Sequence, residues 1–258
     1  MEFRGIDISE YQGEIDFGRV KQSGIDFVMI RSGYGRNSDQ RDGYLERNID
    51  GARAAGLDYG FYHYAYATTP ERAAEEADFC LELIRGSDPT MPVAYDIEDA
   101  SLKGLSREQL SRVARTFLER IRAAGYYPML YASLSWLNNR FEPSLLEEYD
   151  VWLAQWAPAP TYTGEFGMWQ YTSSGRVPGV STAVDLNVAY KDYPAIIAEM
   201  EAVEDSWDNT PSPYAAEAVA KAIELGILRG NQYGDLMLHS PLIREDFFVL
   251  IDRLGLLG

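Results

Sequence analysis

Short strand-like runs alternate with amphipathic helical runs through roughly the first 200 residues, and no other feature constrains the fold as much. Phe3–Ile8 reads as a strand, and Phe17–Gln22 reads as a short helix behind Asp16, a side chain suited to N-capping. Phe27–Ser32 is a second strand. Asp42–Ala55 is a helix with Leu45, Ile49 and Ala52 on one face, closed by Gly56. Tyr59–Tyr66 is an aromatic third strand, and Thr69-Pro70-Glu71 opens a helix that runs to about Arg85. Pro92–Ile97 is a fourth strand. A Ser-Arg-Glu-Gln capping box starts the helix Ser106–Ala124, and Tyr127–Ala132 is a fifth strand.

Beyond that point the helices thin out. Val151–Trp156, Gly167–Tyr171 and Val184–Ala189 read as strands joined by short or irregular connections. Strands that alternate with helices imply a parallel sheet of βαβ units. About eight strands with helices missing late suggest an irregular α/β barrel of the TIM type with a reduced helix complement. A doubly wound open sheet is the alternative, although no Gly-rich phosphate turn follows the first strand.

The composition shifts after Met200, where Glu201–Pro213 is acidic, polar and proline-containing. The expected organisation is therefore a barrel over residues 1–202, a linker over 203–213 and a small helical module over 214–258. That module has helices at Tyr214–Leu225 and Pro241–Leu254 on either side of a polar loop.

Composition removes several functional classes. Forty acidic side chains against 23 basic ones give a net charge of −17, opposite in sign to a nucleic-acid footprint. No apolar run approaches the ~18 residues of a membrane span. Two histidines and one cysteine make no credible metal-ligand set, and no cofactor is expected. Cys80 lies in a helical apolar run as a small hydrophobe, and His63 points away from its flanking tyrosines as a structural residue. No secretory signal pattern is visible at the N-terminus.

Two acids at the end of the fourth strand, Asp96 and Glu98, carry the strongest chemical signal. Period-two geometry puts them on one face, with Cα atoms about 6.5–7 Å apart. At the C-terminal end of a barrel strand, such residues project into the mouth where catalytic groups gather. Close carboxylates repel, so one holds a proton near neutral pH, as cleavage of a glycosidic bond requires. The same triplet also suits a solvated strand end or a capping cluster. Asp7 in the first strand and Asp185 in the last are expected on the same rim, because first and last strands are neighbours in a closed barrel. Tyr62, Tyr64 and Tyr66 alternate on one face of the third strand. Tyr131, Trp136, Trp156, Trp169 and Tyr171 fall near later strand ends. Aromatic faces beside polar groups suit sugar rings, although about half of these side chains are expected in the core.

Five segments in order, GIDISEYQG, FVMIRSGYG, YGFYHYA, PVAYDIE and WQYTSSGRVPGVSTAVDLN, resemble the glycoside hydrolase family 25 lysozymes over residues 3–195. The resemblance implies an irregular barrel and hydrolysis of the β-1,4 bond between N-acetylmuramic acid and N-acetylglucosamine in peptidoglycan. It further implies Glu98 as proton donor and Asp96 as its catalytic partner, with Asp7 and Asp185 as the remaining acids. Tyr62, Tyr131 and Gln170 fall in motifs that line the cleft, and Tyr64 and Trp156 join them as expected substrate-binding aromatics. The second chemical step stays open between a covalent Asp96 intermediate and participation by the substrate's acetamido group. The alternative to an enzyme is a non-catalytic wall-glycan-binding protein; a chitinase-like hydrolase lacks support because Met91, Pro92 and Ala94 precede Asp96. The expected site of action is the bacterial wall, reached by export or by phage release at lysis.

The tail, YAAEAVAKAIELGILRG followed by PLIREDFF, resembles a single surface-layer-homology repeat, with Asp235–Leu238 in place of that motif's usual aromatic and proline. This implies attachment to a cell-wall polymer; a helical pair used for self-association in a homo-oligomer is the other reading.

Overall fold

The computed structural model describes residues 2–205, 210–213, 215–224, 228, 236 and 238. Eight strands close into a barrel in sequence order: β1 (Phe3–Ile8), β2 (Phe27–Tyr34), β3 (Asp58–Tyr64), β4 (Val93–Asp96), β5 (Pro128–Ser133), β6 (Asp150–Ala154), β7 (Met168–Gly175) and β8 (Val184–Ala189). The open-sheet alternative is excluded. Strands β1 to β7 pair in parallel, whereas β8 runs antiparallel to both β7 and β1. The purely parallel sheet expected from the alternation is therefore corrected at its last strand, where the β7–β8 connection carries no crossover helix.

The helices are α1 (Phe17–Gln22), α2 (Leu45–Ala54), α3 (Pro70–Leu83), α4 (Arg107–Ala123), α5 (Leu134–Asn139), α6 (Pro143–Glu148), α7 (Tyr193–Asp205) and α8 (Ala216–Glu224). Their starts follow local side-chain chemistry. Asp16, Thr69 and Ser106 each accept a hydrogen bond from a first-turn backbone N–H, and Ser106 with Gln109 completes a capping box. Gly56, at φ 65°, ends the turn after α2 in a conformation that glycine adopts without penalty. The short helices α5 and α6 replace the irregular connection expected between β5 and β6.

Alternation along each strand sorts side chains into two layers. Outward residues such as Ile6, Ile30, Phe61, Tyr95 and Leu130 join Leu110, Phe117 and Ile121 of α4 in the layer between barrel and helices. Inward residues such as Phe27, Met29, Ala94, Met129, Trp152 and Met168 fill the barrel. Gly5 faces inward on β1, where a Cβ would collide with the Phe27 ring. His63 lies in the outer layer, stacked on Phe117 and bonded to Ser32 Oγ (2.9 Å) and Gly35 O (2.7 Å). Burial lowers its pKa to about 4, so the ring is neutral and structural.

The chain divides into two compact units, residues 1–199 and 200–258. Helix α7 extends to Asp205, so the first residues of the expected linker are helical. In the second unit, α8 covers most of the first expected tail helix. The second tail helix, Pro241–Leu254, and nearly all of the repeat-like motif lie outside the described residues. Among the described residues no helix is long and apolar enough to cross a membrane.

Candidate active site

The top inward layer of the barrel is polar, and it forms the floor of a cleft of about 350 Å³. Period two delivers each group: Asp7 follows Gly5 on β1, Arg31 follows Met29 on β2, Tyr62 and Tyr64 follow Gly60 on β3, and Asp96 follows Ala94 on β4. Tyr131 (β5), Gln170 (β7) and Asp185 (β8) complete the ring, and Glu98 lies two residues beyond the end of β4. Trp156 stands at the rim after β6, and Tyr11 at the rim after β1.

The nine residues expected to be catalytic or substrate-binding all line this one cleft: Asp7, Tyr62, Tyr64, Asp96, Glu98, Tyr131, Trp156, Gln170 and Asp185. The reversal of β8 explains the position of Asp185. The residue stands near the start of its strand, and in a parallel strand it would sit at the floor of the barrel. Running antiparallel, it pairs directly with Asp7 at the mouth. Of the other aromatics, Trp136 packs in the outer core under the Arg140 guanidinium, and Trp169 is likewise in the core.

The acids differ in their surroundings. Asp96 is 5% exposed, and its Oδ1 is buried with no hydrogen-bond partner. Burial holds its carboxyl well above the usual range, with Glu98 and Asp7 adding in the same direction and Arg31 opposing. Glu98 is open to solvent at the mouth and lines the cleft. Lost solvation, then the charges of Asp185 and Asp99, raise its pKa. Asp7 is raised well above the carboxylate range by burial and by Asp185, against two amide hydrogen bonds that favour its charged form. Those donors are Gln170 Nε2 (3.0 Å) and Asn187 Nδ2 (2.8 Å), both to Asp7 Oδ2. Burial also raises Asp185, and a hydrogen bond with Asp7 lowers it.

Several contributors were not singled out beforehand. Arg31 is held by Asp42 Oδ2 (2.7 Å from Nε) and Glu10 Oε1 (2.8 Å from Nη2), and its guanidinium lies 4.9 Å from the Tyr11 ring centroid. Asn187 and Trp152 face inward in the same layer, bonded to each other at 2.9 Å. Period-two spacing from Asp185, Met29 and Trp156 would have found Asn187, Arg31 and Trp152. Among the described residues no cluster of ligand side chains is arranged to hold a metal ion.

Chemically, the arrangement offers a raised carboxylic acid at the mouth, a buried carboxyl with a free acceptor beside it, and flat aromatic faces on the rim. A barrel mouth so equipped can carry out acid–base chemistry. Residues 6–180 match the family described as Glycosyl hydrolases family 25, and the chain belongs to that family. It is 31% identical to the autolytic lysozyme of Clostridium acetobutylicum over 71% of this chain and 55% of that protein. Lysozyme M1 of Streptomyces globisporus is 32% identical, over 71% of this chain and 66% of its own length. The chain thus spans between half and two thirds of these relatives. The bacterial lysozyme from Streptomyces coelicolor superposes with a TM-score of 0.65 at 27% identity, covering 78% of this chain and 97% of that one. The modular autolysin LytC from Streptococcus pneumoniae, solved with a synthetic peptidoglycan ligand, gives 0.65 at 28% identity, covering 73% of this chain and 47% of LytC.

Proposed function

We propose that this protein is a peptidoglycan hydrolase, a muramidase that cuts the β-1,4 bond between N-acetylmuramic acid and N-acetylglucosamine. The observation that carries the reading is the unpartnered, buried Asp96 Oδ1 beside the raised acid Glu98 at a barrel mouth. The lysozymes and N,O-diacetylmuramidases among its relatives support the same substrate class. Glu98, protonated, passes its proton to the glycosidic oxygen as the C1–O bond breaks. A buried acceptor with no donor is costly, and an acetamido N–H on the bound sugar supplies the donor. Asp96 then orients that group, so its carbonyl oxygen closes on C1 and meets the developing positive charge. Water, giving its proton to the Glu98 carboxylate, attacks C1 from the vacated face. This reopens the acetamido ring, restores the acid, and retains the configuration at C1. Asp7 and Asp185 form the floor beneath this pair. Tyr62, Tyr64, Tyr131, Trp156 and Gln170 bind the glycan.

Mass spectrometry of fragments released from purified walls tests the reading. Reducing ends at muramic acid are expected. Reducing ends at glucosamine would make the enzyme a glucosaminidase, and binding without release would make it a non-catalytic wall-binding protein.

The site of action in this proposal is the bacterial wall, reached by export or at phage lysis. The tail from Tyr214 holds the enzyme there, on a wall polymer or on a second copy of the chain. Its net acidity gives no electrostatic help toward anionic polymers, so a wall contact would rest on shape and hydrogen bonds. Ending the chain near Asn209 should leave cleavage of soluble fragments intact. It should also weaken attachment to whole walls, or lower the mass in solution by more than the residues removed. Unchanged attachment together with a monomeric parent would remove both roles.

A further inference from the structure

An indole N–H can only donate a hydrogen bond, whereas a side-chain amide can turn either end toward a neighbour. Trp156 Nε1 donates to Gln170 Oε1 at 3.0 Å, so the Gln170 NH2 must face the other way, and it reaches Asp7 Oδ2 at 3.0 Å. Trp152 Nε1 donates to Asn187 Oδ1 at 2.9 Å, and the Asn187 NH2 reaches the same Asp7 oxygen at 2.8 Å. Two tryptophans on one strand and its following loop thus aim two amides at a single carboxylate oxygen. We propose that Trp152 and Trp156 are positioning residues for the Asp7–Asp185 pair, each indole locking an amide so that Asp7 Oδ2 is committed as an acceptor.

The commitment decides where a proton sits. Asp7 and Asp185 pair directly across β1 and β8, and two facing carboxyl groups can hydrogen-bond only if one of them carries a proton. With two donors already on Oδ2, a proton held by Asp7 belongs on Oδ1. Other ionisable groups facing Asp7 are Tyr62 on β3, Asp96 on β4 and Tyr131 on β5; Arg31 on β2 is the cation in the cleft wall. Tyr131 also donates to Gln170 Oε1, at 3.2 Å, but a hydroxyl can reverse its role and the indole cannot.

Trp152 is fully buried between Tyr62 and Tyr131, so its lock is permanent. Trp156 is 65% exposed at the rim. Resting on the glycan-hydrolase reading, a sugar stacked on the Trp156 face would hold that indole still and with it Gln170, coupling an occupied rim to the proton held on the floor.

Trp156→Phe keeps a flat apolar face, smaller by one ring, and loses the N–H. Following the Asp7 side-chain carboxyl carbon by NMR against pH requires no turnover, so it is independent of the proposed activity. Once freed, Gln170 can present its oxygen to Asp7, which favours the protonated form. The upper step of the pair should therefore move to higher pH by about half to one unit. Gln170→Leu should produce a shift of the same sign, and adding Trp156→Phe to it should produce no further shift. In glycan cleavage, Trp156→Phe should lower kcat with little change in KM, whereas Trp156→Ala should also raise KM. Titration of Trp156→Phe superimposable on the parent, or additive shifts in the double variant, would overturn the inference. A shifted titration in a protein that cleaves no glycan would leave the inference standing and remove the hydrolase reading.

Discussion

Glu98→Gln is expected to lower the rate of wall clearing by about 100–10,000-fold, the range that a positioned general acid contributes. Glutamine keeps the shape of the side chain and has no proton to give. Glu98 makes no hydrogen bond on which the barrel depends, so thermal unfolding should stay near the parent's. The pH dependence follows from the same residue. The acid must be protonated to act, and its pKa is raised, so activity is present below that raised pKa and declines as pH climbs through it. Turbidity clearing by parent and variant across pH reads both effects. Equal rates would show that another group delivers the proton.

Phe117→Ala should produce the largest loss of stability. The ring is fully buried, stacked face to face on Tyr95 at a centroid distance of 3.8 Å and on His63 at 5.9 Å. It joins α4 to β3 and β4 in the layer that holds the back of the strand bearing Asp96. Truncating a buried phenylalanine typically costs about 3–5 kcal/mol through lost transfer energy and the cavity left behind. In a barrel of this size each kcal/mol lowers Tm by about 2–4 °C, so a drop of about 6–20 °C is expected by calorimetry. A drop of about 2 °C or less would mean that His63 and Tyr95 collapse into the space. Cleavage by the folded variant at low temperature is the companion measurement, because Tyr95 is the immediate neighbour of Asp96.

Local chemistry made much of the barrel legible. Asp16, Thr69 and Ser106 marked helix starts because a cap is a contact between residues three apart, visible in any window of sequence. Strand periodicity put Asp96 with Glu98 and Tyr62 with Tyr64 on shared faces, since the alternation belongs to the backbone itself, and all four line the cleft. Periodicity carries no direction, however. The reversal of β8 left no mark in Val184–Ala189, and Asp185 reached the mouth by an inversion that the alternation did not reveal. Helices α5 and α6, of six residues each, are too short to display a full amphipathic repeat. The amide locks on Asp7 were invisible for another reason. Trp152, Gln170 and Asn187 stand on three strands, and only closure of the sheet brings their polar atoms together.

That closure has a consequence for when the site exists. Asp7 is made long before the amides that hold it, which come 163 and 180 residues further along the chain. A chain still being synthesised carries Asp96 and Glu98 long before β8 can pair with β1. Contacts so distant in sequence are also slow to form, because the entropy of closing the loop opposes them until the last strand docks. No chain that lacks β8 can present the finished cleft, so synthesis through Ala189 sets the earliest moment at which these acids stand together.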